Sequence, residues 1–400
     1  MLKAEQQLSL PPITIKRKKP HVSSLIWHST APWAPSGYGN QTAIWTRKLI
    51  EMGHEVAISS YWGLSGSPTE WNGIPVLPGY GHAYCSASLH QHAKALNPDI
   101  VITLGDIWVL DPNLLRELPV AHWLPGDCRP MSVADRNVVE VSGSELIAMS
   151  KFGKDRFTEA GFKPLYVPHG IDTELFIPDR DKAAIRKKLG LGQDEFVIGV
   201  NAANNDAIRK AAPEMFLAFA KFHANHPDVI LAVHAGVHQE GGQDLEVLAE
   251  NLGITDRVRV VDQYHYHAGM VSNKELADWY CAIDVLAACT YAEGFGLPII
   301  EAQACGIPVI TTNASSMTEL NPHGIGIDGT PFWNGVHKGW WIRPDLTGMA
   351  DAFEEAYEKR DDVNRDKLRE FALEYSIENV AEKYMGPAII ELADRMAKRR

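Results

Sequence analysis

The segment TYAEGFGLPIIEAQACGIPVITT (290–312) concentrates residues able to do chemistry. Its apolar start reads as the end of a strand. Glu293-Gly294-Phe295-Gly296 then reads as a loop, and Pro298 as the first turn of a helix, where its missing N–H costs nothing. Gly306 stops that helix and IPVITT is the next strand. Loops at the carboxyl ends of parallel strands are where doubly wound sheets take ligands. The glycines admit close backbone approach, and free N–H groups at a helix start can hold a diphosphate. Carboxylates beside a diphosphate are repelled unless aimed at donors, and sugar and ribose hydroxyls are such donors. Glu293 before the glycines and Glu301 inside the helix therefore suit a ligand with hydroxyls at both ends and phosphates between.

Other candidates stand at strand ends. In APSGYGNQT (34–42), Gly37 and Gly39 permit close approach of a sugar or phosphate, and an ordinary turn is the competing reading. His122 in VAHWLPGD ends a strand aimed at a cleft, and Asp127 sits five residues on in a Pro-Gly-Asp turn. Either could bind sugar or take the acceptor proton, against a core role for the histidine and a turn role for the aspartate. Asp106 in TLGDIW is a weaker candidate for the acceptor side. Tyr264 and His265, with Tyr266 and His267, follow a strand and could flank a nucleotide base; the HYH spacing lacks a third ligand nearby, so no metal is expected. The tryptophans of FWNGVHKGWWIRP (332–344) suit either an acceptor platform or packing between domains.

These residues need a scaffold of alternating strands and helices. SSLIWHS, HEVAISSY, DIVITLG, VAHWLP and ELIAMS read as strands of one series, with a helix TAIWTRKLIEMG after the glycine-bearing loop PWAPSGYGNQ. A second series follows from FVIGVNA through VILAVHAG, VRVVDQY, DVLAACT and IPVITT, with helices between. SNKELADWYCAI carries a capping box of Ser272 and Glu275. The pattern predicts parallel sheets covered on both faces. The turn-rich passage 167–182 separates the two series. The expected division is an arm at 1–20, an acceptor-side domain at 21–175, a nucleotide-sugar domain at 176–382, and a helix at 383–400 able to cross back to the first domain.

Four hundred residues suit two such domains. The net charge of −12 argues against general nucleic-acid binding, although Lys16 to Lys19 and Lys398 to Arg400 are basic ends. No apolar run reaches the ~18 residues of a membrane span. The N-terminus has no signal-peptide core, and five scattered cysteines read as reduced thiols, so the expected location is cytoplasmic.

The 290–312 segment resembles the donor-site motif of retaining glycosyltransferase family four, the glycosyl transferases group 1, which have the GT-B fold. TNASSMTE (312–319) is similar to the family's small-residue loop ending in glutamate, with serines where glycine pairs are common. VNAANNDAIRKAAPEMFLAFAKF (200–222) looks like the first strand-to-helix loop of the family's second domain, with Arg209 and Lys210 at its basic pair. The resemblance implies two doubly wound Rossmann-like domains facing across a cleft, and transfer of a sugar from a nucleoside diphosphate sugar to a hydroxyl acceptor with retention and without a metal or other cofactor. It implies that Arg209 and Lys210 neutralise the leaving diphosphate, Glu293 holds the donor sugar, Glu301 the ribose, and Gly294, Phe295, Gly296 and Leu297 give backbone contacts. The family's glycine-rich loop supports Gly37 and Gly39, and its histidine near this place supports His122 as a donor contact. Glycosylation of a modified nucleic-acid base, epimerisation of a sugar nucleotide, and donor binding without catalysis remain alternatives; the acceptor, whether small molecule, polysaccharide, lipid or nucleic acid, is open.

Overall fold

The computed structural model describes residues 23–81 and 84–398. The N-terminal arm, with Lys16 to Lys19, and the last two residues of the basic C-terminal end lie outside that range. Eight strands build the first sheet: β1 (Ser24–Thr30), β2 (Glu55–Trp62), β3 (Thr69–Trp71), β4 (Ile74–Pro78), β5 (Ile100–Leu104), β6 (Val120–Leu124), β7 (Glu145–Ala148) and β8 (Leu165–Tyr166). Their spatial order is β3-β4-β2-β1-β5-β6-β7-β8. All neighbours are parallel except the β3–β4 hairpin, which turns at Asn72-Gly73 with positive φ at both residues. Strands β1, β5, β6 and β7 are buried along their whole length, as a parallel sheet sandwiched between helices requires.

The second sheet contains β9 (Phe196–Asn201), β10 (Val229–His234), β11 (Val258–Val260), β12 (Val285–Ala288), β13 (Val309–Thr312) and β14 (Ile325–Ile327), ordered β11-β10-β9-β12-β13-β14 and parallel throughout. A separate antiparallel hairpin, β15 (Gly329–Asn334) and β16 (Gly339–Pro344), carries the tryptophan-rich stretch. The two doubly wound sheets are those of a GT-B molecule.

One expectation of local structure is corrected. The first helix runs Gly37–Glu51, so it begins at the glycines rather than at Thr42. Ser36 caps it, its hydroxyl accepting from the Gly39 amide at 3.0 Å. Gly39 lacks a side chain for a packing reason: a Cβ there would stand 2.2 Å from the Ala34 carbonyl oxygen.

Three buried indoles, Trp27, Trp45 and Trp123, pack edge to face between this helix and the sheet. Each N–H has a partner, on Thr42, Gln41 and the Val167 carbonyl respectively. The chain passes to the second domain after Val167 and returns near Ser376, and the two crossings touch. Ile171 and Ser376 form a parallel bridge, and the Gln41 amide donates to the Gly170 carbonyl at 2.8 Å. Beyond that point the C-terminal helices lie on the first domain, with Arg395 2.8 Å from Glu145 and Lys48 2.7 Å from Glu378. Among the described residues no helix is long and apolar enough to cross a membrane.

Candidate active site

In the second sheet the strand order reverses between β9 and β12, which leaves an open crevice at their carboxyl ends. The loop after β9 brings Arg209 and Lys210, and the loop after β12 brings Glu293. Lys210 Nζ stands 2.6 Å from Glu293 Oε1 and the Arg209 guanidinium 3.1 Å from Oε2. The Tyr291 amide donates to the Arg209 carbonyl at 2.8 Å, which ties the loops together. Burial opposes the charge of Glu293, but the two cations outweigh it and hold the carboxyl below its usual range. Burial and then Arg209 lower the Lys210 pKa, against the pull of Glu293. Arg209 loses hydration to burial, yet Glu293 and then Asp127 hold its pKa up.

Two helices start at this point without a side-chain cap. Ala211, in the left-handed region at φ 51°, precedes Ala212–His223, and Gly296, at φ 109°, precedes Leu297–Ala304. Pro213 and Pro298 give no N–H at these starts and the Ile299 amide bonds to the Gly296 carbonyl at 3.0 Å, so what an anion meets there is the positive end of each helix.

Glu301 lies deeper. Its Oε2 accepts from the Tyr280 hydroxyl at 2.8 Å, whose oxygen accepts from the Asn201 amide at 2.7 Å; Asn201 Oδ1 lies 3.2 Å from His234 Nδ1. Burial raises the Glu301 pKa to about 7, with the Tyr280 hydrogen bond pulling the other way. This chain across the ends of β9 and β10 has no compact motif to mark it. Its members are scattered along 100 residues from Asn201 to Glu301.

The serines at 315 and 316 brace the Glu293 loop. Ser315 Oγ accepts from the Glu293 amide at 2.9 Å, and Ser316 Oγ donates to the Glu293 carbonyl at 2.8 Å and the Phe295 carbonyl at 2.5 Å. Glu319, at the end of the same loop, accepts from the Lys151 amide of the first domain at 2.8 Å.

The first domain meets this wall closely. A Cβ on Gly294 would fall 2.3 Å from Pro125 Cβ, and one on Gly37 would touch Leu297 at 3.4 Å. Gly294 is thus a contact between domains in this arrangement. Gly294→Ala is expected to cost about 1–3 kcal/mol through overpacking, read as a lower denaturant midpoint with an unchanged slope. The Phe295 side chain is core: it packs edge-on against His169 at 5.2 Å, and His169 against Trp123 at 4.6 Å. Phe295 therefore leaves only its backbone for a ligand.

His122 is fully buried on β6, with Nδ1 2.7 Å from Thr103 Oγ1 and Nε2 unpartnered. Burial lowers its pKa to about 3, so it is neutral and fit to accept or donate a hydrogen bond but not to carry charge. Asp127 and Asp106 share the field of Arg209 and His337, and burial raises both pKa values. The structure thus brings Asp106, Asp127, Arg209 and Glu293 into one cluster.

Tyr264 and His265 do not sit as expected. The run forms a short helix, Gln263–His267, capped by Asp262. Tyr264 is 75% exposed and His265 pairs with Asp262 at 3.1 Å. The helical turn instead directs Tyr266 onto His234, ring centroids 5.6 Å apart, and His267 to within 2.9 Å of where a Gly236 Cβ would stand.

Residues 181–374 match the family described as glycosyl transferases group 1. That match, within the second domain, is a similarity to the glycosyl transferases group 1. The chain is 31% identical over 287 residues to D-inositol 3-phosphate glycosyltransferase 2 of Catenulispora acidiphila, covering 68% of this chain and 58% of that protein. It is 35% identical over 174 residues to a D-inositol 3-phosphate glycosyltransferase of Corynebacterium jeikeium, covering 41% and 39%. The chain spans about half the length of the curated relatives it matches. In three dimensions it resembles Anabaena HepE in complex with UDP-glucose, at a TM-score of 0.68 and 16% identity over 94% of this chain and 100% of that one. It also resembles sucrose-phosphate synthase from Thermosynechococcus elongatus, at 0.69 and 18% over 94% and 98%. Both likenesses concern the fold, and they span both domains of the chain.

Proposed function

We propose that the protein transfers a sugar from a nucleoside diphosphate sugar to a hydroxyl acceptor with retention of anomeric configuration. The observation that carries this reading is the cluster at the switch point: two cations and two uncapped helix starts around Glu293, with Glu301 inside the second of those helices. The diphosphate would displace Glu293 from Arg209 and Lys210 and lie against the two helix starts. Freed, Glu293 would accept from sugar hydroxyls, and Glu301 would accept from the ribose. The acceptor oxygen bonds to the anomeric carbon on the face from which the bond to the phosphate oxygen breaks, and the acceptor proton passes to that departing oxygen. Arg209 and Lys210 stabilise the charge that grows there, the role a metal plays elsewhere. The two cations and the uncapped helix starts favour a phosphate ligand over a neutral one.

UDP-glucose is the donor held by one structural neighbour, and it serves as the probe. A ligand at 100 times its Kd adds about 2.7 kcal/mol to stability, so the melting temperature is expected to rise by about 2–4 °C. A flat response to UDP-, GDP- and ADP-sugars alike would refute the donor site. Incubating the protein with donor alone separates an epimerase, which returns an isomerised sugar nucleotide, from a transferase, which releases the diphosphate. The described cysteines are all buried and unpaired, which supports a reducing, cytoplasmic setting.

A further inference from the structure

The β15–β16 hairpin belongs to neither large sheet. Its roots are in the second domain. The Ile342 amide donates to the Tyr291 carbonyl at 3.2 Å, and Phe332 packs edge-on against Tyr291 with ring centroids 5.2 Å apart. Arg343 reaches Glu214 at 3.5 Å, and the Tyr291 hydroxyl donates to the same glutamate at 2.7 Å. Trp341 is buried in a cluster with Ala211, Tyr291 and Ala292, beside the loops that carry Arg209, Lys210 and Glu293. Cys128 completes that cluster from the first domain.

From those roots the hairpin reaches across to the first domain. Trp340 and Arg129 form an antiparallel bridge. The Trp340 amide donates to the Arg129 carbonyl at 2.7 Å, and the Arg129 amide to the Trp340 carbonyl at 3.2 Å. Trp340 stands opposite Trp333 of β15. In an antiparallel strand the N–H and C=O of one residue point to the same side. Those of Trp340 therefore serve the first domain and are not needed for the hairpin's own ladder. Beside the bridge, a Cβ on Gly339 would stand 2.9 Å from Cys128 Sγ. Near the tip, His337 meets Trp108 edge-on, with centroids 6.4 Å apart, and Val336 is exposed. The hairpin is thus built into one domain and clipped to the other by a single bridge, a junction that can part without breaking either sheet.

We propose that the hairpin is a latch: it fastens the second domain to the Cys128–Arg129 segment while the cleft is shut, and it must let go of that segment for ligands to enter and leave. The proposal rests on the reading of the cleft as a donor site and adds the device that holds it closed. In this arrangement the cleft is shut. Gly294 lies on Pro125, and a Cβ on Gly269 would stand 3.2 Å from Pro35 Cγ. The latch joins the two facing loops of the site directly. Cys128 and Arg129 follow Asp127 in the chain, and Tyr291, which takes the hairpin's Ile342 amide, precedes Glu293 by two residues and donates its own amide to the Arg209 carbonyl at 2.8 Å. Release of the bridge is therefore felt where the leaving diphosphate would lie.

The test locks and frees the latch in the full chain. Gly339 does not occupy the left-handed region, so Gly339→Cys places a thiol within bonding reach of Cys128. Oxidised, this variant is expected to bind and release UDP about ten-fold or more slowly than after dithiothreitol, read by stopped-flow tryptophan fluorescence. Gly339→Ser, similar in bulk but unable to bond, should not respond to the oxidant. Trp340→Pro removes the 2.7 Å bond and spares the β15–β16 ladder, so UDP release should quicken by about three-fold or more. Hydrogen exchange reads the latch with no ligand present. The Arg129 and Trp340 amides of the parent should exchange about ten-fold or more faster than the ladder amides, and the oxidised Gly339→Cys protein should lose that difference. Equal UDP rates in its oxidised and reduced forms, or amides at 129 and 340 as protected as the ladder, overturn the latch. UDP binding with equal rates sinks the latch alone. Failure of the parent to bind UDP sinks the donor reading, and hydrogen exchange still decides the latch.

Discussion

Lys210→Ala is expected to lower the rate of UDP release from UDP-glucose by about 10²–10³, the scale for losing one group that stabilises developing anionic charge. The fold should survive the change. Glu293 keeps the Arg209 guanidinium at 3.1 Å, so no carboxylate is stranded without a cation. The loss should fall on kcat more than on KM, because charge on the leaving oxygen is largest at the transition state. Lys210→Arg should restore only part of the rate, since a planar fork cannot place its charge where an ammonium sits 2.6 Å from Glu293. Single-turnover kinetics with melting curves on both variants make the comparison. A rate within three-fold of the parent for Lys210→Ala would remove the leaving-group role.

Glu301→Gln should act in opposite directions on stability and binding. The folded-state pKa of Glu301 is raised from 4.5 to about 7 by burial. Between those values the native state holds a proton that the unfolded chain releases. Stability therefore falls as pH rises from about 4.5 to 7, by about 3 kcal/mol in total, and stays reduced above that range. Glutamine removes the titration, so the variant should gain on the parent between pH 5 and 8 in denaturant melts. On the proposed reading, the ionised form is the one that would accept from ribose hydroxyls. UDP affinity of the parent should rise as pH passes 7, and the variant should bind more weakly by about 1–3 kcal/mol with a flat profile. Calorimetry at pH 6 and pH 8 reads both effects; a pH-independent parent and an unweakened variant would place Glu301 outside the nucleotide site.

Much of the scaffold was written in local pattern. The apolar runs of β1, β5, β6, β10 and β13 are fully buried strands, and the Ser272–Glu275 capping box is present as both of its hydrogen bonds. The start of the first helix was hidden because Gly37 and Gly39 lower helix propensity, while Ser36, whose hydroxyl caps it, is a signal that could have found it. The β3–β4 hairpin is short, yet its Asn72-Gly73 turn is a strong hairpin mark. Glu293, Arg209 and Lys210 were legible because each sits in a loop defined by its own strand and helix. The convergence of Asp106, Asp127 and His337 on them was not, because it depends on how two domains close, a long-range property that no local period carries. The helix at Gln263–His267 turned Tyr266 rather than Tyr264 inward for a related reason: one turn of helix changes which neighbour shares a face.

The paired crossings at Ile171 and Ser376 set how this molecule can breathe. Two straps bonded side by side behave as a single axle. They permit the halves to swing apart but resist sliding or shear. A chain cut just before Ser376 would then free one strap and convert a jaw into a tether.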